Sequence, residues 1–202
     1  WLLYNNNPSY KEVWILTEYI EIERRFLVDG REQKPWRIGS SASDIKQYYL
    51  PQGALSLQEG TLLMDSMELV EPNEEEIEIW RTIQQWTVRI RVRGGVFFLT
   101  CKSKMSHAAA HELEWIIDAK TGASLVRVGG FPHVEKTRYV WPGPDGKVWE
   151  VDEFEGPLAG LILAEVELQQ TEEEVEIPGW VGQEITGLPS WSNKSLADTI
   201  GS

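Results

Sequence analysis

Formal charges recur along this chain in pairs spaced by two: Glu21 and Glu23 followed by Arg25, then Arg89 and Arg91, Lys102 and Lys104, Glu112 and Glu114, Lys136 and Arg138, Glu150 and Asp152, and Glu165 and Glu167. The residue between is usually apolar, as at Ile22, Ile90, Leu113, Val151 and Val166. Carboxylates are hard oxygen ligands, suited to Mg²⁺ or Mn²⁺. Lys and Arg suit phosphate oxygens, and Arg can grip them with two parallel bonds. Carboxylate-held metal beside several cations is equipment for phosphoryl transfer, which depends on positioning and charge neutralisation. The phosphate-cradling pattern GxxxxGK[ST] does not occur in the sequence.

Spacing by two places each pair on one face of a strand. An ordinary antiparallel sheet also shows one polar face to water. Uniform sign within each pair, repeated on so many segments, favours a closed barrel with an apolar outer face and a charged inner face. Burying so many charges dry would be prohibitive, so a water-filled tunnel is expected. About eight strands give an interior wide enough for side chains and one slim ligand. The expected fold class is mainly β (α+β): a closed antiparallel barrel forming a charged tunnel, with a few short helices packed outside.

The elements follow from local pattern. "EIERRFLV" (21–28) is the opening strand. "GSSASDIKQYYL" (39–50) reads as a short helix, capped by Ser41 or Ser43 and stopped by Pro51. "VEPNEEEIEI" (70–79) reads as an acidic loop entering a strand, and the acidic segment 56–85 as a lid. "WTVRIRVRGGVFFLTCKSK" (86–104) is a hairpin turning at Gly94 and Gly95. "HELEWII" (111–117) is a strand, and "DAKTGASLV" (118–126) a short helix or turn. "VEKTRYVW" and "KVWEVDEF" flank another hairpin, "LAGLILAEVEL" ends in a strand, and the tail 175–202 wraps as loops with a short helix near "NKSLADTI". No linker divides the 202 residues, so one domain is expected, with 1–17 as an N-terminal extension.

Composition narrows the classes. A net charge of −13 disfavours nonspecific binding to nucleic acid or an anionic membrane. It does not exclude an anionic ligand, because bound cations change the local sign. No run of eighteen apolar residues is present. The N-terminal stretch lacks the basic and apolar regions of a signal peptide. Cys101 is the only cysteine, which excludes an internal disulfide and fits a cytoplasmic location; it should pack as a small apolar residue. His107, His111 and His133 are too scattered for a metal triad. The Trp residues read as core or wrapping contacts.

The motifs themselves carry a resemblance. "EIERRFLV" resembles the ExExK signature of the CYTH superfamily, the triphosphate tunnel metalloenzymes. "IKQYYL", "VRIRV", "FLTCKSK", "EKTRYVW", "WEVDEFEGPLAGLILAEVEL" and "PGWVGQEITG" resemble further motifs of that family, in its order, from about residue 18 to 197. The small bacterial single-domain branch is most similar.

The resemblance implies hydrolysis of triphosphate compounds, most simply inorganic tripolyphosphate to pyrophosphate and phosphate, with Mg²⁺ or Mn²⁺. It implies metal binding by Glu21, Glu23, Glu165 and Glu167, with Asp152 nearby. It assigns Arg25, Arg89, Arg91, Lys102, Lys136 and Arg138 to the polyphosphate, and Tyr49 with Lys136 to a catalytic pair. Glu112, Glu114 and Glu150 are further tunnel acids. The chain departs from the family pattern at Arg25, where Lys is usual, at Tyr48, where Gly is usual, and at Ala110, where Arg is often found. Water activated by a second metal or a tunnel carboxylate would attack the terminal phosphorus. Removing Glu23 or Glu165 is expected to abolish hydrolysis and spare the fold, by relieving repulsion among the acids. A class IV-type adenylate cyclase, a thiamine triphosphatase and a non-catalytic polyphosphate sensor are the alternatives; retained acids on the first and last matching strands favour catalysis. The expected partner is a small-molecule polyphosphate, and the expected state a monomer or homodimer.

Overall fold

A computed structural model of the chain describes residues 19–31 and 33–201. The expected N-terminal extension lies outside them. The strands are β1 (Ile20–Val28), β2 (Ser41–Tyr49), β3 (Leu55–Gln58), β4 (Thr61–Met64), β5 (Met67–Val70), β6 (Thr87–Arg93), β7 (Val96–Lys104), β8 (Ala109–Ile117), β9 (His133–Pro142), β10 (Val148–Phe154), β11 (Ile162–Leu168) and β12 (Val181–Glu184). The helices are α1 (Glu74–Thr82), α2 (Ala119–Val128) and α3 (Asn193–Ile200).

Eight antiparallel strands form a ring in the order β11-β10-β9-β2-β6-β7-β8-β1, closed by β1 on β11. Closure leaves few unpaired edges, and β12 joins β1 beside the ring. Period-two alternation sorts the side chains. Val88, Ile90, Leu99, Cys101 and Leu113 point outward and are buried beneath β3–β5, α1 and α2. Phe26, Trp149, Val151, Ala164 and Val166 point outward elsewhere, under Trp36 and Trp180. The Trp residues therefore act as wrapping contacts: Trp180 lies 4.8 Å from Trp36 and 5.3 Å from Trp141, centroid to centroid.

Local chemistry explains the turns. The β6–β7 hairpin turns at Gly94 and Gly95, both with positive φ (57° and 80°), which side chains disfavour. Asp118 caps α2 by accepting from Thr121 N at 2.9 Å. Gly122 lets α2 lie on β7, because a Cβ there would meet Phe97 at 2.5 Å.

Two expectations are corrected. Residues 41–49 form β2, not a helix. Ile45, Gln47 and Tyr49 alternate inward, and β2 is hydrogen-bonded between β6 and β9. Ser and Asp near its start imitate a helix cap, but ladder pairing on both edges overrides that local signal. Residues 74–82 form α1, not a strand entry. Asn73 and Glu76 make a reciprocal capping box, with bonds of 2.9 and 2.8 Å, and acids in the first turn suit the helix dipole. The segment 56–85 is thus a small sheet and a helix over the outer face of β6–β8, rather than a lid on the tunnel.

Candidate active site

The inner face is built from the doubled charges. β1 directs Glu21, Glu23 and Arg25 inward, and its register sets Glu23 beside Glu167 and Arg25 beside Glu165. β6 supplies Arg89 and Arg91. The β7–β8 register sets Lys102 opposite Glu112. β9 and β10 set Arg138 opposite Asp152, and β10 and β11 set Glu150 opposite Glu165. Every strand of the ring except β2 contributes charge; β2 contributes Ile45, Gln47 and Tyr49, all buried.

Two environments share this interior. The first is a cavity of about 310 Å³ lined by Glu21, Glu23, Arg25, Tyr49, Arg89 and Lys102 on the barrel side. Lys102 bonds Glu21 and stands 3.8 Å from Glu23 and 3.6 Å from Glu112. Arg25 stands 3.2 Å from Glu23 and 2.6 Å from Glu165. The far wall comes from the segment 185–194, from Ser106, His107 and Ala108 in the turn before β8, and from Ala110 in β8.

The second environment is dry. Lys136, Arg138, Asp152 and Glu165 are 1 %, 7 %, 1 % and 6 % exposed. Arg138 bonds Asp152 twice at 2.7 Å and Glu165 at 3.1 Å, and also bonds Glu150; Lys136 bonds Asp152. Full hydration of the charges was expected, and this cluster departs from it. Balanced signs and multiple bonds make the burial tolerable. Beyond it, Val134, Phe154, Leu163, Tyr49 and Leu27 share the parity of the charged residues, so they too point inward. They pack with Ile185 and with Leu196, Ala197 and Ile200 of α3. α3 therefore covers one barrel end, whereas α1 and α2 lie outside.

The electrostatics follow this geometry. Burial, then the neighbouring Glu165 carboxylate, pushes Glu23 up to about 7. Burial would raise Glu165 too, but Arg25 and Arg138 outweigh it and hold that carboxyl at about 2. Burial of Asp152 is likewise outweighed by Arg138 and Lys136, which keep it below the usual range. Burial lowers Lys136 to about 8, against the pull of Asp152. Burial pushes the Tyr49 hydroxyl up, opposed by Arg89 and Arg25. Burial raises the Cys101 thiol, consistent with its place in the outer core.

The remaining predicted residues are placed as follows. Arg91 binds Glu114 at 2.5 Å and lies over Phe98. Arg89 is 3.8 Å from Glu112. Tyr49 and Lys136 are not joined by a hydrogen bond: Tyr49 donates to Gln47 at 3.3 Å, and Lys136 lies opposite Ile45, four residues along β2. Tyr48 points the other way and stacks on His133 at 5.1 Å, so it leaves Tyr49 uncrowded. Lining residues that sequence reasoning gave no role are His107, Thr186, Asn193 and Lys194. They come from loops and a helix end, where no periodicity signals which way a side chain points.

The acids fit a divalent cation in kind. They are hard oxygen donors, and Glu112 Oε2 and Glu165 Oε1 are buried without a hydrogen-bond donor, the latter in spite of its close Arg25 contact. Among the described residues no three Asp, Glu, His or Cys side chains converge at metal-binding geometry, because the acids are closed onto the bases.

No family model matches the chain. An inorganic triphosphatase of Acetivibrio thermocellus is 34% identical over 111 residues, covering 54% of this chain and 70% of that protein. One from Nitrosomonas europaea is 37% identical over 115 residues, covering 56% and 76%. The chain belongs to the inorganic triphosphatase family. The crystal structure of an inorganic triphosphatase aligns over 88% of this chain and 93% of that one, with a TM-score of 0.52 and 29% identity. The family's barrel and the charged interior described above therefore coincide in one chain. Among the described residues no helix is long and apolar enough to cross a membrane.

Proposed function

We propose that this protein hydrolyses inorganic tripolyphosphate to pyrophosphate and orthophosphate with Mg²⁺ or Mn²⁺, as a small single-domain CYTH-type tunnel enzyme of the cytoplasm. The observation that carries the reading is one cavity in which Glu21 and Glu23 face Arg25, Arg89 and Lys102. Glu21, Glu23, Glu165 and Glu167 would hold the metal, with Asp152 beside them. When bound, the metal neutralises phosphate charge and polarises the P–O bonds.

The chain's own residues perform the rest. Arg25, Arg89 and Lys102 take the phosphate oxygens in the cavity, and in doing so exchange their carboxylate partners for substrate. Arg91, Lys136 and Arg138 extend the basic track beyond the cavity. Lys136 and Arg138 bind substrate only by loosening their bonds to Asp152. A tunnel carboxylate accepts the proton of the attacking water, and the terminal phosphorus departs as orthophosphate. Tyr49 lines the cavity with Arg89 and Arg25, and its hydroxyl orients the phosphate by exchanging its Gln47 acceptor for a phosphate oxygen.

The cavity favours an inorganic substrate over a nucleotide or thiamine compound. Among the described residues no Trp or Phe lines it; its rings are His107 and the buried Tyr49, whose hydroxyl is bonded to Gln47. The test is phosphate release from tripolyphosphate, pyrophosphate, ATP and thiamine triphosphate, with Mg²⁺, Mn²⁺ or chelator. Metal-dependent turnover greatest with tripolyphosphate is expected. Tight binding without turnover would establish the sensor instead.

A further inference from the structure

A second cavity, of about 330 Å³, lies on the outside of the barrel. It is formed where the β3–β5 sheet and α1 meet the outer face of β6, and it shares no lining residue with the tunnel cavity. Its volume falls within the range of small-molecule sites. Leu55, Leu57, Ile83 and Val88 give it an apolar floor.

Two features distinguish it from a packing defect. Trp80 and Trp86 line it and stack in parallel, with centroids 5.4 Å apart and planes within 4°. Trp86 is 6 % exposed and Trp80 partly exposed, so Trp80 presents the more open face of the pair to the cavity. Arg81, also lining the cavity, is exposed and makes no ion pair or side-chain hydrogen bond among the described residues. Gln52 and Gln84 add amide groups at the rim.

From this juxtaposition of Trp80, Trp86 and Arg81 we infer that the outer cavity binds a flat heterocycle carrying an anionic group, a nucleoside monophosphate in chemical class. The ring extends the indole stack on the Trp80 side, the amides of Gln52 and Gln84 meet its polar edge, and the phosphate pairs with Arg81. The site is separate from the tunnel, so its ligand is a regulator or passenger rather than the hydrolysed substrate.

The probe is adenosine monophosphate, which lacks a triphosphate chain, in equilibrium dialysis with the full chain. Saturable binding of one molecule per chain is expected, undiminished by excess tripolyphosphate. Ribose 5-phosphate, without the ring, should bind about tenfold or more weaker. Trp80→Ala should weaken binding by about tenfold or more, and the exposed Arg81→Ala by about fivefold. Arg81→Ala decides the matter if the Trp80 variant does not fold. Absence of saturable binding, displacement by tripolyphosphate, or unchanged affinity in the folded variants would overturn the inference. None of these results bears on tripolyphosphate turnover.

Discussion

Arg138 and Asp152 stand directly opposite each other on β9 and β10 and share two parallel hydrogen bonds, Nε to Oδ1 and Nη2 to Oδ2, each 2.7 Å. Lys136 bonds the same carboxylate. One acid thus bonds two buried bases at the dry end of the tunnel. Asp152→Ala takes from Lys136 the carboxylate it bonds and leaves Arg138 with Glu165 and Glu150, so it should cost on the order of 3–5 kcal/mol of folding stability. Denaturant unfolding of the variant beside the wild type measures this directly; an unchanged midpoint contradicts the dry cluster.

Glu23 behaves in the opposite sense. Its folded pKa of about 7 lies above the model-peptide value of 4.5. Below pH 4.5 both states are protonated and the residue contributes nothing. Between there and about 7 the folded state holds the extra proton, so stability falls as pH rises, and above 7 the full penalty of an ionised, crowded carboxylate remains. In metal-free buffer Glu23→Gln should stabilise the protein by on the order of 1–3 kcal/mol at pH 8. The gain should fade toward pH 4.5. Unfolding curves at the two pH values check it.

Glu165 differs from Glu23, although the sequence treats them alike. Its carboxylate is held between Arg25 and Arg138 at 2.6 and 3.1 Å. Removing it takes one carboxylate from each of two buried bases, leaving Arg25 with Glu23 and Arg138 with Asp152 and Glu150, so Glu165→Ala should cost more stability than Glu23→Ala.

Arg91 is bound to Glu114 in the substrate-free protein. Exchange of that partner for a phosphate oxygen predicts that Arg91→Ala weakens tripolyphosphate binding by about 1.5–3 kcal/mol. Calorimetric titration of a non-turning-over form checks this, and an unchanged affinity puts Arg91 off the substrate track.

The capping box of α1 lies far from the chemistry. Asn73→Ala should lower stability by about 1 kcal/mol and leave phosphate release unaltered. Thermal unfolding and a turnover assay on the same sample separate the two effects.

The barrel was legible because one rule, alternation, governs Glu21–Glu23–Arg25 and its counterparts on the other charged strands. The β2 segment escaped because its inward residues, Ile45, Gln47 and Tyr49, are not charged, while its serines mimic a helix start. α1 escaped because "NEEE" reads as a solvated acidic run until Glu76 is seen folding back on Asn73. The split into a wet cavity and a dry cluster depends on which base meets which acid across strands. Pairing of that kind is fixed by register, and spacing within one strand does not contain it. The far wall of the cavity, with Thr186 and Asn193, depends on how the C-terminal segment returns over the barrel end.

The most direct test is orthophosphate release from tripolyphosphate at saturating Mg²⁺ or Mn²⁺, comparing wild type with folded Glu23→Gln. The tunnel account predicts turnover by wild type that chelator abolishes, and a fall of about a hundredfold or more in the variant, as for loss of a group acting on the reacting phosphate. Equal rates in the two proteins, or wild-type turnover that survives complete chelation, would contradict it.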